Sequence, residues 1–167
     1  MSKYDLVLYD LDGTLWDSIP LIMECVHKAY DVVLGGTERT DDDLQSYIGR
    51  PLGDTFAMHN EETKESLINA YLDYNCSRLK ENAVPIFPGV YDFLAKIRSS
   101  GIRQGIVTSK RESSAMMTIE LLELAGYFDI KIFREATERA KPHGDPLIEA
   151  ARRAGITDMS RVLYVGD

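Results

Sequence analysis

The chain has 167 residues, 27 acidic against 19 basic side chains and a formal net charge of −8. That length predicts one domain, or one domain carrying a small insert, and a composition 44% hydrophobic and 28% charged is ordinary for a globular protein. The acidic balance argues against a nucleic-acid polymer or an anionic membrane as partner, and no apolar run of roughly 18 residues provides a membrane span.

A short apolar run, Tyr4 to Tyr9, reads as a buried strand ending at Asp10. Arg103 to Thr108, Ile130 to Phe133 and Arg161 to Val165 predict three more. Helical patterns alternate with the later strands. Val90, Phe93, Leu94 and Ile97 mark one face; Met117, Leu121, Leu122 and Leu124 mark a second; Leu147, Ile148, Ala151 and Ala154 mark a third. Such alternation predicts an α/β fold with a Rossmann-like parallel sheet covered on both faces. The first crossover, from Asp10 to Arg103, is far longer than the roughly 30 residues of a βαβ unit. The surplus is helical in pattern: Asp17 to Leu34, Thr40 to Tyr47, a short helix after Pro51, and Glu61 to Leu79. We therefore expect an α/β core of residues 1–18 and 85–167, with a helical bundle of residues 19–84 inserted as a cap.

Sites in open parallel sheets form at the carboxyl ends of the strands. Here those ends carry Asp10-Leu-Asp12-Gly13-Thr14, then Thr108-Ser109-Lys110, then Lys141-Pro142, then Gly166-Asp167. Carboxylates gathered there call for a hard cation, most simply Mg²⁺. Mg²⁺ with an ammonium and a hydroxyl makes a receptor for a phosphoryl group. Asp10 and Asp12, two residues apart near a strand end, can address one site: one as nucleophile at phosphorus, the other as general acid and base.

These residues resemble the haloacid-dehalogenase (HAD) superfamily. Asp10 to Ser18 is similar to its first signature motif, Ile106 to Lys110 to its second, Lys141-Pro142 to its third, and Val162 to Asp167 to the opening of its fourth. Tyr47-Ile-Gly-Arg50-Pro-Leu52 resembles a cap segment of the phosphoglycolate-phosphatase-like branch. The resemblance implies Asp10 as nucleophile and Asp12 as acid/base. It also implies Mg²⁺ held by the carboxylates of Asp10 and Asp167 and the carbonyl of Asp12. Thr108 would bind the phosphoryl oxygens and Lys141 would offset the local charge. Ser109 and Arg50 are further candidates for substrate contact. An aspartate at position 12 favours phosphoryl transfer over carbon–halogen cleavage, because dehalogenating members lack it.

The expected activity is a Mg²⁺-dependent phosphatase acting on a small phosphorylated metabolite, in the cytoplasm, with Cys25 and Cys76 as reduced thiols. A phosphomutase of the same family (β-phosphoglucomutase-like) and a non-catalytic binding protein on the same fold are the alternatives. A phosphorylatable receiver domain is disfavoured by the long helical insert. His27, His59 and His143 lack metal-ligand spacing, and Ser113 and Ser114 lack a His/Asp partner. Trp16 is expected to pack the junction between core and cap. Lys110 is expected either to face substrate or to begin a solvated helix. The chain stops on Gly166-Asp167 at a strand end, so the core is expected to continue beyond it in a longer protein.

Overall fold

The structure is a computed structural model that describes residues 3–45, 48, 50–81 and 84–166. Its sheet consists of β1 (Leu6–Tyr9), β2 (Arg103–Val107), β3 (Ile130–Ile132) and β4 (Val162–Val165) in the order β3-β2-β1-β4, every pair parallel. The four runs read from sequence are these strands, trimmed by one or two residues. Register sets Tyr9 opposite Ile106 on one side and opposite Val165 on the other. The ends of β1, β2 and β4 therefore lie side by side at one rim.

The chain divides into two compact units, residues 1–17 with 86–167, and residues 18–85. In the first unit, α5 (Val90–Ser99), α6 (Glu112–Leu121) and α7 (Asp145–Arg153) accompany the sheet. Leu6, Leu8, Val107, Ile130 and Ile132 pack with Ala150 and Ala154 in one apolar cluster. On the adjoining pleats, the Tyr9 hydroxyl donates to Gln104 Oε1 at 2.9 Å and Gln104 Nε2 donates to the Leu94 carbonyl at 3.1 Å. A buried glutamine is tolerated because both ends of its amide are bonded.

Three helix faces differ from the sequence pattern; α5 buries Val90 and Leu94 but leaves Phe93 exposed. α6 buries Ala115, Thr118 and Ile119, while Leu121 is exposed. α7 buries Pro146, Ala150 and Ala151 and leaves Ile148 exposed. The pattern gave the most weight to the bulkiest side chains. At α7 the strands instead receive the small residues Ala150 and Ala151, which let the helix approach them closely.

The second unit is helical: α1 (Ile19–Leu34), α2 (Asp41–Gln45), α3 (Leu52–Thr55) and α4 (Glu61–Lys80). α1 ends on Gly35 in the left-handed region, φ 75°; its N–H bonds the Asp31 carbonyl at 3.1 Å and the Gly36 N–H bonds the Tyr30 carbonyl at 3.2 Å. Glycine meets that conformation without a Cβ penalty. α4 starts at Asn60, whose side chain accepts from the Thr63 N–H at 2.9 Å, and it brings Leu67, Tyr71 and Asn75 into the interior against α1. The two cysteines are free thiols; Cys25 is buried and receives the Asn75 amide at 3.7 Å. No described helix is long and apolar enough to cross a membrane.

Candidate active site

The rim residues assemble around the turn that follows β1. The Leu11 carbonyl accepts the N–H groups of Thr14 and Leu15 at 3.2 and 2.9 Å, which folds residues 11–16 back on themselves. Gly13 turns with φ 75°, and its N–H bonds the Trp16 carbonyl at 3.0 Å. A side chain at position 13 would force a strained backbone, so the glycine of the Asp-x-Asp-Gly pattern is a steric requirement of this turn. Asp10 is anchored by its own N–H to the Val165 carbonyl at 2.9 Å.

Asp10 is 6% exposed. One carboxylate oxygen accepts the Leu11 N–H at 2.8 Å and the other accepts the ammonium of Lys141, which also donates to the Tyr164 hydroxyl at 3.0 Å. Burial raises the Asp10 carboxyl above its ordinary range, and the adjacent Lys141 charge opposes the rise. Burial also lowers Lys141, but the Asp10 carboxylate and the Tyr164 hydroxyl together outweigh it and hold the lysine protonated. Breaking such a buried pair by removing one partner typically costs about 3–5 kcal/mol. Lys141 precedes a cis peptide bond to Pro142 in the loop beyond β3.

Asp12 is bound by different partners. Lys110 Nζ lies 3.2 and 3.1 Å from its two carboxylate oxygens, and Trp16 Nε1 donates to one of them at 2.9 Å. Sequence reasoning placed Trp16 as packing only and left Lys110 between substrate and solvent. Trp16 is indeed fully buried, but its indole N–H serves Asp12, and Lys110 pairs with that same carboxylate. The loop after β2 is fixed as well. Thr108, 4% exposed, accepts the Lys110 N–H on its hydroxyl oxygen at 3.1 Å, while its own N–H bonds the Ile132 carbonyl. That geometry leaves the Thr108 hydroxyl proton available to an acceptor at the rim. The Thr14 and Ser109 hydroxyl oxygens are buried with no hydrogen-bond partner among the described residues.

Among the candidates, Asp10, Asp12, Thr108, Ser109 and Lys141 all belong to the first unit and stand at or just beyond the carboxyl ends of its strands. Arg50 belongs to the helical unit, exposed in a bend before α3. Tyr47, Gly49 and Asp167 lie outside the described residues. Tyr164 was missed in the sequence because a tyrosine in a strand pattern reads as packing. Its hydroxyl is a ligand for Lys141.

No group of three or more His, Cys, Asp or Glu side chains converges among the described residues. The two carboxylates at the rim offer oxygen only, and the buried Asp10 charge is offset by the Lys141 ammonium. Hard oxygen donors suit Mg²⁺ rather than a softer metal.

A buried carboxylate held by lysine and a second carboxylate two residues on, at the rim of a parallel sheet, are groups suited to phosphoryl transfer. The chain belongs to the haloacid dehalogenase-like hydrolase family, whose model matches residues 7–167, and it is an enzyme of the phosphatase type within it. It is 32% identical to the pyrophosphatase PpaX of Bacillus cereus over 166 residues, covering 99% of this chain and 75% of that one. A haloacid dehalogenase-like family hydrolase from Streptococcus pneumoniae superposes with a TM-score of 0.82 at 25% identity, over 100% of this chain and 77% of that one. A structure from Haemophilus somnus, described as a predicted phosphoglycolate phosphatase, shares the fold with a TM-score of 0.87 at 19% identity, over 100% and 78% of the two chains.

Proposed function

We propose that the protein is a Mg²⁺-dependent phosphatase for a small phosphorylated substrate, working through an aspartyl-phosphate on Asp10. The observation that carries this reading is the pair of unlike environments two residues apart. Asp10 is buried and clamped by Lys141 and the Leu11 N–H, whereas Asp12 faces Lys110 and Trp16. Unlike surroundings are what separate a nucleophile from an acid/base.

In the first step an Asp10 carboxylate oxygen forms a bond to phosphorus. The bond from phosphorus to the leaving oxygen breaks, and Asp12, which must take up a proton from solvent and loosen its Lys110 contact before this step, delivers that proton to the leaving oxygen. In the second step a water oxygen bonds to phosphorus, its proton passes to Asp12, and the acyl-phosphate P–O bond breaks to regenerate Asp10. Lys141 offsets the charge gathered between Asp10 and the phosphoryl oxygens. Thr108 donates its hydroxyl proton to one of those oxygens, and the buried Thr14 and Ser109 hydroxyls are further donors at the same rim. The carboxylates of Asp10 and Asp167 and the Asp12 carbonyl would hold Mg²⁺, which supplies charge stabilisation of the phosphoryl group when bound.

The similarity to pyrophosphatase PpaX supports inorganic pyrophosphate as the first substrate to try, with a phosphate as leaving group. The helical unit is read as a cap that excludes water during transfer to Asp10, with Arg50 as a substrate contact. We place the enzyme in the cytoplasm, where the free thiols of Cys25 and Cys76 stay reduced. The test is hydrolysis of pyrophosphate and of an aryl phosphate with Mg²⁺ present and after chelation. Wild-type turnover that needs Mg²⁺ and disappears in Asp10→Asn is the expected result. Undiminished turnover in Asp10→Asn would sink the nucleophile assignment.

A further inference from the structure

The contacts of Asp12 ask for an explanation that a role in catalysis for Asp12 alone does not supply. Its carboxylate receives three hydrogen bonds from two side chains distant from each other in sequence: Lys110 Nζ at 3.2 and 3.1 Å, and Trp16 Nε1 at 2.9 Å. None of the three side chains is loose. Lys110 is 11% and Asp12 16% exposed in their side chains, and Trp16 is fully buried. The backbone at Lys110 is held on both sides, its N–H by the Thr108 hydroxyl and its carbonyl by the Arg134 N–H, each at 3.1 Å. Trp16 and Asp12 are joined through the same turn by a bridge between their backbones.

The Lys110 ammonium is engaged by both Asp12 oxygens, and the Trp16 indole N–H is aimed at the same carboxylate. We propose that Lys110 and Trp16 are positioning residues for Asp12. Together they fix the plane of its carboxylate, so that proton exchange with the leaving oxygen starts from one orientation. Holding a proton donor in one geometry removes rotational freedom that the transition state would otherwise have to freeze out. The loop after β2 thereby serves two groups at once. Thr108 presents its hydroxyl to the phosphoryl group, and Lys110, tied to the Thr108 oxygen through its own N–H, orients the acid.

This inference rests on Asp12 being the acid/base, and the experiment separates the two claims. In the full chain, kcat/KM is measured for Lys110→Met, Trp16→Phe, Asp12→Asn and the double variant Asp12→Asn/Lys110→Met. One substrate is an alkyl phosphate, whose leaving oxygen needs a proton; the other is p-nitrophenyl phosphate, whose leaving oxygen does not. General acid assistance is worth roughly 10²–10⁴-fold. Asp12→Asn is expected to lose at least about tenfold more on the alkyl substrate than on the nitrophenyl one. Lys110→Met and Trp16→Phe should show the same bias at smaller size, with the inhibition constant of inorganic phosphate within about twofold of wild type. Lys110→Arg should recover part of the loss, and the double variant should be no slower than Asp12→Asn alone.

Equal losses on both substrates in Lys110→Met, with weaker inhibition by phosphate, would make Lys110 a substrate contact and overturn the proposal. Unbiased losses in Asp12→Asn would overturn the acid/base reading beneath it. Trp16→Phe removes the N–H while leaving an aromatic ring at the position, so it gives an independent reading if Lys110→Met fails to fold; equal losses on both substrates in Trp16→Phe would overturn the proposal.

Discussion

Gly105 occupies the middle of β2, between β1 and β3, and its place in the sheet allows a quantitative expectation. A Cβ there would lie 2.9 Å from the Ile130 carbonyl oxygen, 2.9 Å from Leu8 Cδ2 and 3.1 Å from Ile130 Cβ. Ordinary contact begins at 3.4 Å, so Gly105→Ala demands that neighbours retreat by about 0.5 Å. The Ile130 carbonyl belongs to a strand hydrogen-bonded to β2, and Leu8 is fully buried in the apolar cluster, so neither retreats freely. Overpacking of this kind costs about 1–3 kcal/mol. At roughly 2–4 °C per kcal/mol for a chain of this size, Tm should fall by about 2–12 °C. Gly53→Ala is the matched control. Gly53 lies inside α3, and a methyl group added to its Cα would meet nothing within 4 Å, so the same change should raise stability by about 0.4–1 kcal/mol. Urea and thermal denaturation of both variants measure the difference. A Gly105→Ala protein that unfolds with the wild type, or a Gly53→Ala protein that loses more than it, would refute the steric reasoning.

Lys141→Met removes the ammonium paired with Asp10, so kcat/KM should fall by at least about 10²-fold, in the range of lost transition-state electrostatics. Burial already raises the Asp10 carboxyl, and Lys141 opposes that rise. Since the reactive form is the carboxylate, the acid limb of the pH–rate profile should move to higher pH in the variant; parallel profiles would show that Lys141 does not govern Asp10. Glu149 accepts hydrogen bonds first from Arg152 and then from Arg153, which lower its carboxyl from 4.5 to about 2. A depressed carboxylate contributes stability that is present above its unfolded value and lost as pH falls through the folded one. Tm of the wild type should therefore drop between pH 4.5 and about 2 more steeply than Tm of Glu149→Gln, and equal slopes would remove Glu149 from the account of acid unfolding.

The strands and the surplus length of the first crossover were legible in the chain, because each rests on local information. Four short apolar runs end at polar residues, the first crossover is too long for one helix, and Asp10-Leu-Asp12-Gly13 requires a turn that glycine makes easily at φ 75°. Which charge meets which was legible nowhere in the chain and followed from packing. Lys110 reaches Asp12 across 98 positions, and Lys141 reaches Asp10 across 131, because parallel register places the ends of β1 and β2 together and brings the loop beyond β3 over them. The same holds for Tyr164, set beside Lys141 by the pairing of β4 with β1, and for α6, where Ile119 rather than Leu121 is buried. Periodicity records that a helix has an apolar side, but the facing surface selects which residues fill it. Hydrogen-bond partners likewise depend on the packing of strands far apart in the chain, which no local pattern encodes.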